Sequence, residues 1–266
     1  MLHHLPVVNL VPIALILMTT FVQAKTINKS FDVQQGDQLA LEADIGSIDI
    51  NTHNKNTVLV NIEIDGQNQD SVKVNFNHTA DKVFINSELK SKRKGLISGL
   101  FGGNYNAKVT YNITVPESFN VNIDTSGGSI NIEDLTGKIN AHTSGGSITL
   151  EEITGAVDIE TSGGSITLND ILGAINAHTS GGSIKVKLPN GPISDSDIRT
   201  SGGTITAYLA KDIALDIIAK TNGGRVSSEF NVNGISSKQS IKGSINGGGA
   251  KMILKTSGGN VHIKKI

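Results

Sequence analysis

From Thr125 onward, polar and apolar positions alternate in short runs that recur at a fixed distance. Ile130 and Ile132, Ile148 and Leu150, Ile166 and Leu168, and Ile184 and Val186 each flank a single polar residue. A period of two built from β-branched residues predicts strands with one buried face, not helices. Each run follows the tetrapeptide Thr-Ser-Gly-Gly, which begins at Thr125, Thr143, Thr161, Thr179, Thr200 and Thr256, with the variant Thr-Asn-Gly-Gly at Thr221. Taken in chain order, these starts lie 18, 18, 18, 21, 21 and 35 residues apart. A second turn, at Leu135-Thr136-Gly137, Ile153-Thr154-Gly155 and Ile171-Leu172-Gly173, leads into a second alternating run. That run carries Ile139 and Ala141, Val157 and Ile159, then Ile175 and Ala177.

One period is therefore two short strands and two glycine-bearing turns, too little chain to enclose a core of its own. Stacking solves this. Ile130, Ile148, Ile166, Ile184 and Ile205 would then form one inward ladder, with neighbouring coils about 4.8 Å apart. The predicted fold class is all-β, a single-chain parallel β-solenoid with coils of 18 to 21 residues. A right-handed β-helix follows from the general preference of parallel crossovers. The alternative is an antiparallel sandwich of hairpins, and the stacking of identical positions speaks against it. Glycine at the corners admits positive φ and close backbone passage. The Thr and Ser hydroxyls can bond local backbone groups and stack as ladders.

Residues 25–116 are less regular. The stretch 43–50, Ala-Asp-Ile-Gly-Ser-Ile-Asp-Ile, reads as a degenerate repeat start, and 58–64, 72–76, 83–86 and 108–115 alternate as strands. This region reads as the beginning of the same solenoid with an atypical capping sheet, and Pro116 marks its junction with the repeats of 117–266. At the other end, 261–266 reads as a last strand at an open solenoid end. Its Lys264 and Lys265 would discourage strand addition there.

Residues 1–24 contain no Lys, Arg, Asp or Glu, and 5–22 are mostly apolar. Val22-Gln23-Ala24 offers small residues where a signal peptidase reads, so cleavage near Ala24 would leave a mature chain starting at Lys25. His3 and His4 stand where such leaders usually carry Lys or Arg. A retained membrane anchor is the rival reading, but Pro6, Asn9 and Pro12 interrupt a stretch already close to the ~20-residue minimum. The chain is expected to be exported, to the periplasm or the cell surface.

Composition narrows the chemistry further. Lys and Arg number 23 against 24 Asp and Glu, a net charge of -1 that argues against nucleic acid as partner. The absence of cysteine excludes disulfides, thiolate metal sites and cysteine nucleophiles. With no Trp and 4% aromatic residues, platforms for stacking sugars are few. No Walker A loop, dinucleotide fingerprint, His-Glu-x-x-His or Gly-x-Ser-x-Gly occurs.

The Thr-Ser-Gly-Gly-Ser-Ile units at Thr125, Thr143, Thr161 and Thr179 resemble the bacterial "putative adhesin" family of exported domains. The resemblance covers roughly 40–266 and is clearest over 121–207. It implies an exported β-solenoid associated with the cell envelope, and it supplies no catalytic residues.

Three surface features could carry function. Glu133-Asp134, Glu151-Glu152 and Asn169-Asp170 hold equivalent repeat positions, so stacking places carboxylates about 5 Å apart. That spacing is near the ~5–5.5 Å of a retaining glycosidase pair. It would equally suit a hard cation such as Ca²⁺, although the glycine–aspartate nonapeptides of calcium β-rolls are missing. The plain alternative is a solvated face. His142, Glu160 and His178 form a second column whose ligand types suit Zn²⁺, or else a polar ladder in which the carboxylate sits between two imidazoles. The third feature is 87–103, where Lys90, Lys92, Arg93 and Lys94 precede Leu96, Ile97, Leu100 and Phe101. It could touch an anionic membrane or a partner, or be a mobile loop.

The leading functional expectation is a monomeric, non-enzymatic envelope protein. No cofactor is expected, and the partner would be an envelope protein, a glycan or a membrane surface, in adhesion or scaffolding. A carbohydrate-active enzyme using Glu133 or Glu151, and an envelope sensor using the basic segment, are the alternatives.

Overall fold

The computed structural model describes residues 24–90 and 107–266. All the predicted alternation becomes strand. Two sheets, of 11 and 12 strands, face each other with the chain winding between them, which is a β-solenoid. In a typical coil the strand after the Thr-Ser-Gly-Gly turn joins the first sheet, as Ile148–Thr154 does, and the strand after the second turn joins the second sheet, as Val157–Thr161 does.

Neighbouring coils pair in parallel and in strict repeat register. Ile130, Ile148, Ile166, Ile184 and Ile205 are successive partners in the first sheet, each at most 1% exposed. Ile139, Val157 and Ile175 stack likewise in the second. These apolar side chains meet between the sheets and form a continuous core.

From the second repeat onward, each coil is fastened to its spatial neighbour by its turn threonine. Thr161 Oγ1 donates to Gly146 O at 2.7 Å and accepts from Gly164 N at 3.3 Å. Thr179, Thr200, Thr256 and Thr221 repeat the contact to the glycine carbonyl of the adjacent coil, each at 2.7 Å. The threonine side chains are buried and the glycine carbonyls half-buried, so each hydroxyl satisfies a carbonyl largely withdrawn from water. The expected local role thus extends between coils. The following serines also link the coils, but as acceptors, as where Ser165 N donates to Ser147 Oγ.

The segment 43–50 behaves as the degenerate repeat it resembles, with Ile48 and Ile50 partnering Ile130 and Ile132. Beyond it, Lys25–Asp32 and Thr57–Asp65 extend the first sheet antiparallel, and Val72–His78 edges the second. Phe31 from one edge and Phe76 from the other meet at 6.0 Å between ring centroids, with His78 5.5 Å from Phe31. Aromatic rings thereby close the N-terminal end of the core.

The C-terminal end departs from expectation. Ala250–Thr256 does not lie at an open end but between Ser196–Thr200 and Leu215–Thr221. Val261–Lys265 likewise lies between Ile205–Leu209 and Val226–Ser228. The last coil in sequence is the penultimate coil in space, so Lys264 and Lys265 sit inside the sheet, not on its edge. The actual edges are protected otherwise. The first sheet ends in the three-residue strand Val226–Ser228, and the second in the antiparallel pair Asn233–Ser236 and Ser240–Ile245. Short and antiparallel terminal strands blunt end-to-end polymerisation.

Candidate functional site

Stacking in register turns every outward repeat position into a column along the solenoid. In the first sheet Glu133, Glu151, Asn169, Lys187, Tyr208 and Lys264 are successive partners. In the second, Glu42, Asp124, His142, Glu160, His178, Arg199, Lys255 and Lys220 are. Both columns begin with carboxylates and end with cations. The bias is general: residues 117–183 hold nine carboxylates and one lysine, whereas 184–266 hold twelve Lys and Arg and five carboxylates.

The carboxylates that follow the first column, Asp134, Glu152 and Asp170, owe their outward direction to a backbone device. Asp134, Glu152 and Asp170 adopt φ of 57, 54 and 52°, left-handed values unusual for residues other than glycine. Strict alternation would turn Glu152 inward after the outward Glu151. The left-handed residue resets the parity, so both point out and Ile153 is buried. Glu152 is held above the usual carboxylate range, first by a hydrogen bond shared with Asp134 and then by the charge of Asp134. Asp170 instead accepts from Asn190 Nδ2 at 3.1 Å.

In its folded state Glu152 holds a proton more tightly than in the unfolded chain. The native protein therefore binds more protons just above the ordinary Glu range, and stability falls as pH rises through that window. Glu152→Asn removes the repulsion and suits left-handed φ better. It is expected to raise Tm at pH 7 by about 2–4 °C, and by less at pH 4. Thermal melts at both pH values check this, and an unchanged or lower midpoint at pH 7 refutes it.

The histidine column is equally exposed. His142 Nδ1 lies 3.9 Å from Glu160 Oε2, and His178 is the next partner of Glu160 along the column. Among the described residues, no three His, Asp or Glu side chains converge as a metal site. Of the basic segment, Lys90 is described, and its N donates to Ser71 O at 2.7 Å. Lys92, Arg93, Lys94, Leu96, Ile97, Leu100 and Phe101 lie outside the described residues. No helix among the described residues is long and apolar enough to cross a membrane.

The cationic end contains what sequence reasoning missed. Arg199, Lys255 and Lys220 stand on adjacent strands of the second sheet. Arg199 donates from Nε and Nη2 to the two carboxylate oxygens of Asp197, at 2.6 and 2.5 Å. Among the described residues, no carboxylate lies within ion-pair distance of Lys255 or Lys220. On the first sheet, Lys185 and Lys264 each lie 5.7 Å from the centre of the Tyr208 ring. The signal that would have revealed this end is net charge by segment, which the whole-chain value averages away.

No protein family matches the sequence, and no curated protein matches it. Solved structures align with it over most of its length at low similarity. A "putative cell adhesion protein" from Clostridium sporogenes has a TM-score of 0.41 and 13% identity, over 92% of this chain and 100% of that one. A "putative adhesin" from Bacteroides fragilis has a TM-score of 0.38 and 14% identity, over 91% and 97%. A "putative lipid binding protein" from Parabacteroides distasonis has a TM-score of 0.39 and 14% identity, over 90% and 97%. Likeness at this level adds nothing to what the stacked coils already say of the fold.

Proposed function

We propose that this chain is an exported, non-enzymatic protein of the cell envelope that binds another surface through the outer faces of its two sheets. The observation that carries this reading is the segregation of charge along the repeat region, carboxylates over 117–183 and Lys and Arg over 184–266. A rigid face with charged groups at one strand spacing matches a partner that is itself extended and repetitive, such as an envelope glycan. Opposed fields of this kind steer association and fix orientation more than they add affinity. The leader-like residues 1–24 and the motif resemblance support export. The exposed carboxylates Glu133 and Glu151 serve this reading as contact groups.

The test is adsorption of purified 25–266 to isolated cell envelopes across a salt series. Binding is expected to weaken at least tenfold between roughly 50 and 500 mM NaCl, as long-range charge is screened. A glycan-hydrolysis assay run in parallel is expected to give no product. Salt-independent adsorption, no adsorption, or hydrolysis abolished by Glu133→Gln or Glu151→Gln would overturn the reading.

A further inference from the structure

The outer face of the second sheet carries, near its C-terminal end, a groove of about 300 Å³ lined by His178, Arg199, Lys220, Lys255, Asn222 and the hydroxyls of neighbouring turns. We propose that this groove is a binding site for a phosphate-bearing group. The inference goes beyond surface binding by the extended faces, because it assigns a compact site for one dianion.

Three observations carry it. Like charges directly opposite on paired strands destabilise a sheet, yet Arg199, Lys255 and Lys220 occupy one column at successive strands. Among the described residues, only the Arg199 charge is met by a carboxylate, that of Asp197. With that carboxylate counted, Arg199, Lys255 and Lys220 leave a surplus of two positive charges, enough to match a phosphate monoester dianion. In a concave site of one sign, the field is focused on the ligand.

The second observation is the supply of neutral donors. Ser201, Ser257 and Asn222 line the same groove, and hydroxyl and amide groups complete the coordination of phosphate oxygens that ammonium groups begin. The third is that the turn backbone is already committed. Gly202 N donates to Ser180 O, Gly258 N to Ser201 O, and Gly223 N to Ser257 O. The ligand is therefore met by side chains and not by a main-chain nest, so side-chain substitution removes the site without disturbing the coil.

Lys220→Gln/Lys255→Gln is compared with Lys187→Gln/Lys211→Gln, which removes the same charge outside the groove. Inorganic phosphate is titrated calorimetrically. Vesicles of phosphatidylcholine with and without phosphatidic acid are assayed by cosedimentation. Wild type is expected to bind phosphate saturably. The groove variant should lose at least tenfold in affinity and the control less than threefold. Asp197→Asn, which frees the guanidinium, should tighten binding severalfold, a gain that misfolding cannot mimic. Binding of phosphate alone identifies a soluble or sugar-borne group. Binding also, or only, to the phosphatidic acid vesicles, lost in the groove variant, identifies a lipid headgroup. Absence of saturable binding to either probe, or equal loss in both double variants, overturns the proposal. Neither assay uses cell envelopes, so its failure would leave the surface-binding reading standing.

Discussion

Gly164→Ala is expected to lower Tm by on the order of 10 °C, while Gly163→Ala, one residue earlier, changes it by less than about 2 °C. The two glycines share a turn but not a surrounding. A Cβ on Gly164 would lie 2.0 Å from Gly146 O and 2.4 Å from Gly146 C, both backbone atoms of the preceding coil. A Cβ on Gly163 would meet its nearest atom, Gly145 O, at 3.5 Å, an ordinary contact. Gly164 does not have left-handed φ, so the demand there is for space alone. The crowded carbonyl is also the one that accepts from Thr161 Oγ1. Pushing the coils apart therefore strains the pairing and breaks a half-buried hydrogen bond together. Overpacking of this kind costs about 3 kcal/mol, and for a chain of this size each kilocalorie shifts Tm by about 2–4 °C. Thermal denaturation followed by circular dichroism checks the pair. Equal midpoints for the two variants would mean that the coils can slide to admit a methyl group.

That asymmetry within one tetrapeptide shows what the sequence carried and what it did not. The repeat, the strands and the inward ladder could be read because identical residues recur at identical spacing, and the period-two alternation admits one buried face. The reason for the second glycine could not be read, since it lies in a backbone atom 18 residues away that only stacking brings near. The acidic columns were legible as columns, but the left-handed residues at Asp134, Glu152 and Asp170 were not. Alternation alone would have buried Glu152, and nothing local announces the reset. The charge segregation was present in the sequence throughout, hidden by a net charge of -1 that sums a balanced 1–116, a negative 117–183 and a positive 184–266. The clustering of Arg199, Lys255 and Lys220 was a different matter. It depends on Thr256 stacking between Thr200 and Thr221, an order that contradicts the order of the chain.

That inversion sets the second large effect, the response to deleting residues 250–266. In an ordinary solenoid, stability is a sum over neighbouring coils, and removing the terminal coil leaves the others in place. Here the terminal coil is a wedge. Met252 and Leu254 fill the core between one pair of second-sheet strands, and Val261 and Ile263 do so in the first sheet, all at most 1% exposed. Each contributes roughly 2 kcal/mol of burial. Without them, Leu215–Thr221 and Val226–Ser228 lose the strands they pair with in parallel, and the antiparallel pair of Asn233–Ser236 and Ser240–Ile245 loses the strand on which it rests. The shortened chain is expected to keep a folded body up to about Leu209. Everything after that point should become unprotected, so the deletion unfolds more than twice the number of residues it removes. Hydrogen exchange resolved by segment reads this directly: amides of 215–245 should exchange at unfolded rates while those of 120–188 stay protected. The competing outcome has a clear physical route. Thr221 and its strand could drop by one coil onto Thr200 and restore the register, since both carry the same Thr-x-Gly-Gly turn. Retained protection across 215–221 would show that the repeat tolerates this slip. The position of the last coil would then be one choice among near-equivalent stackings, and the cationic column would survive with Lys220 directly beside Arg199.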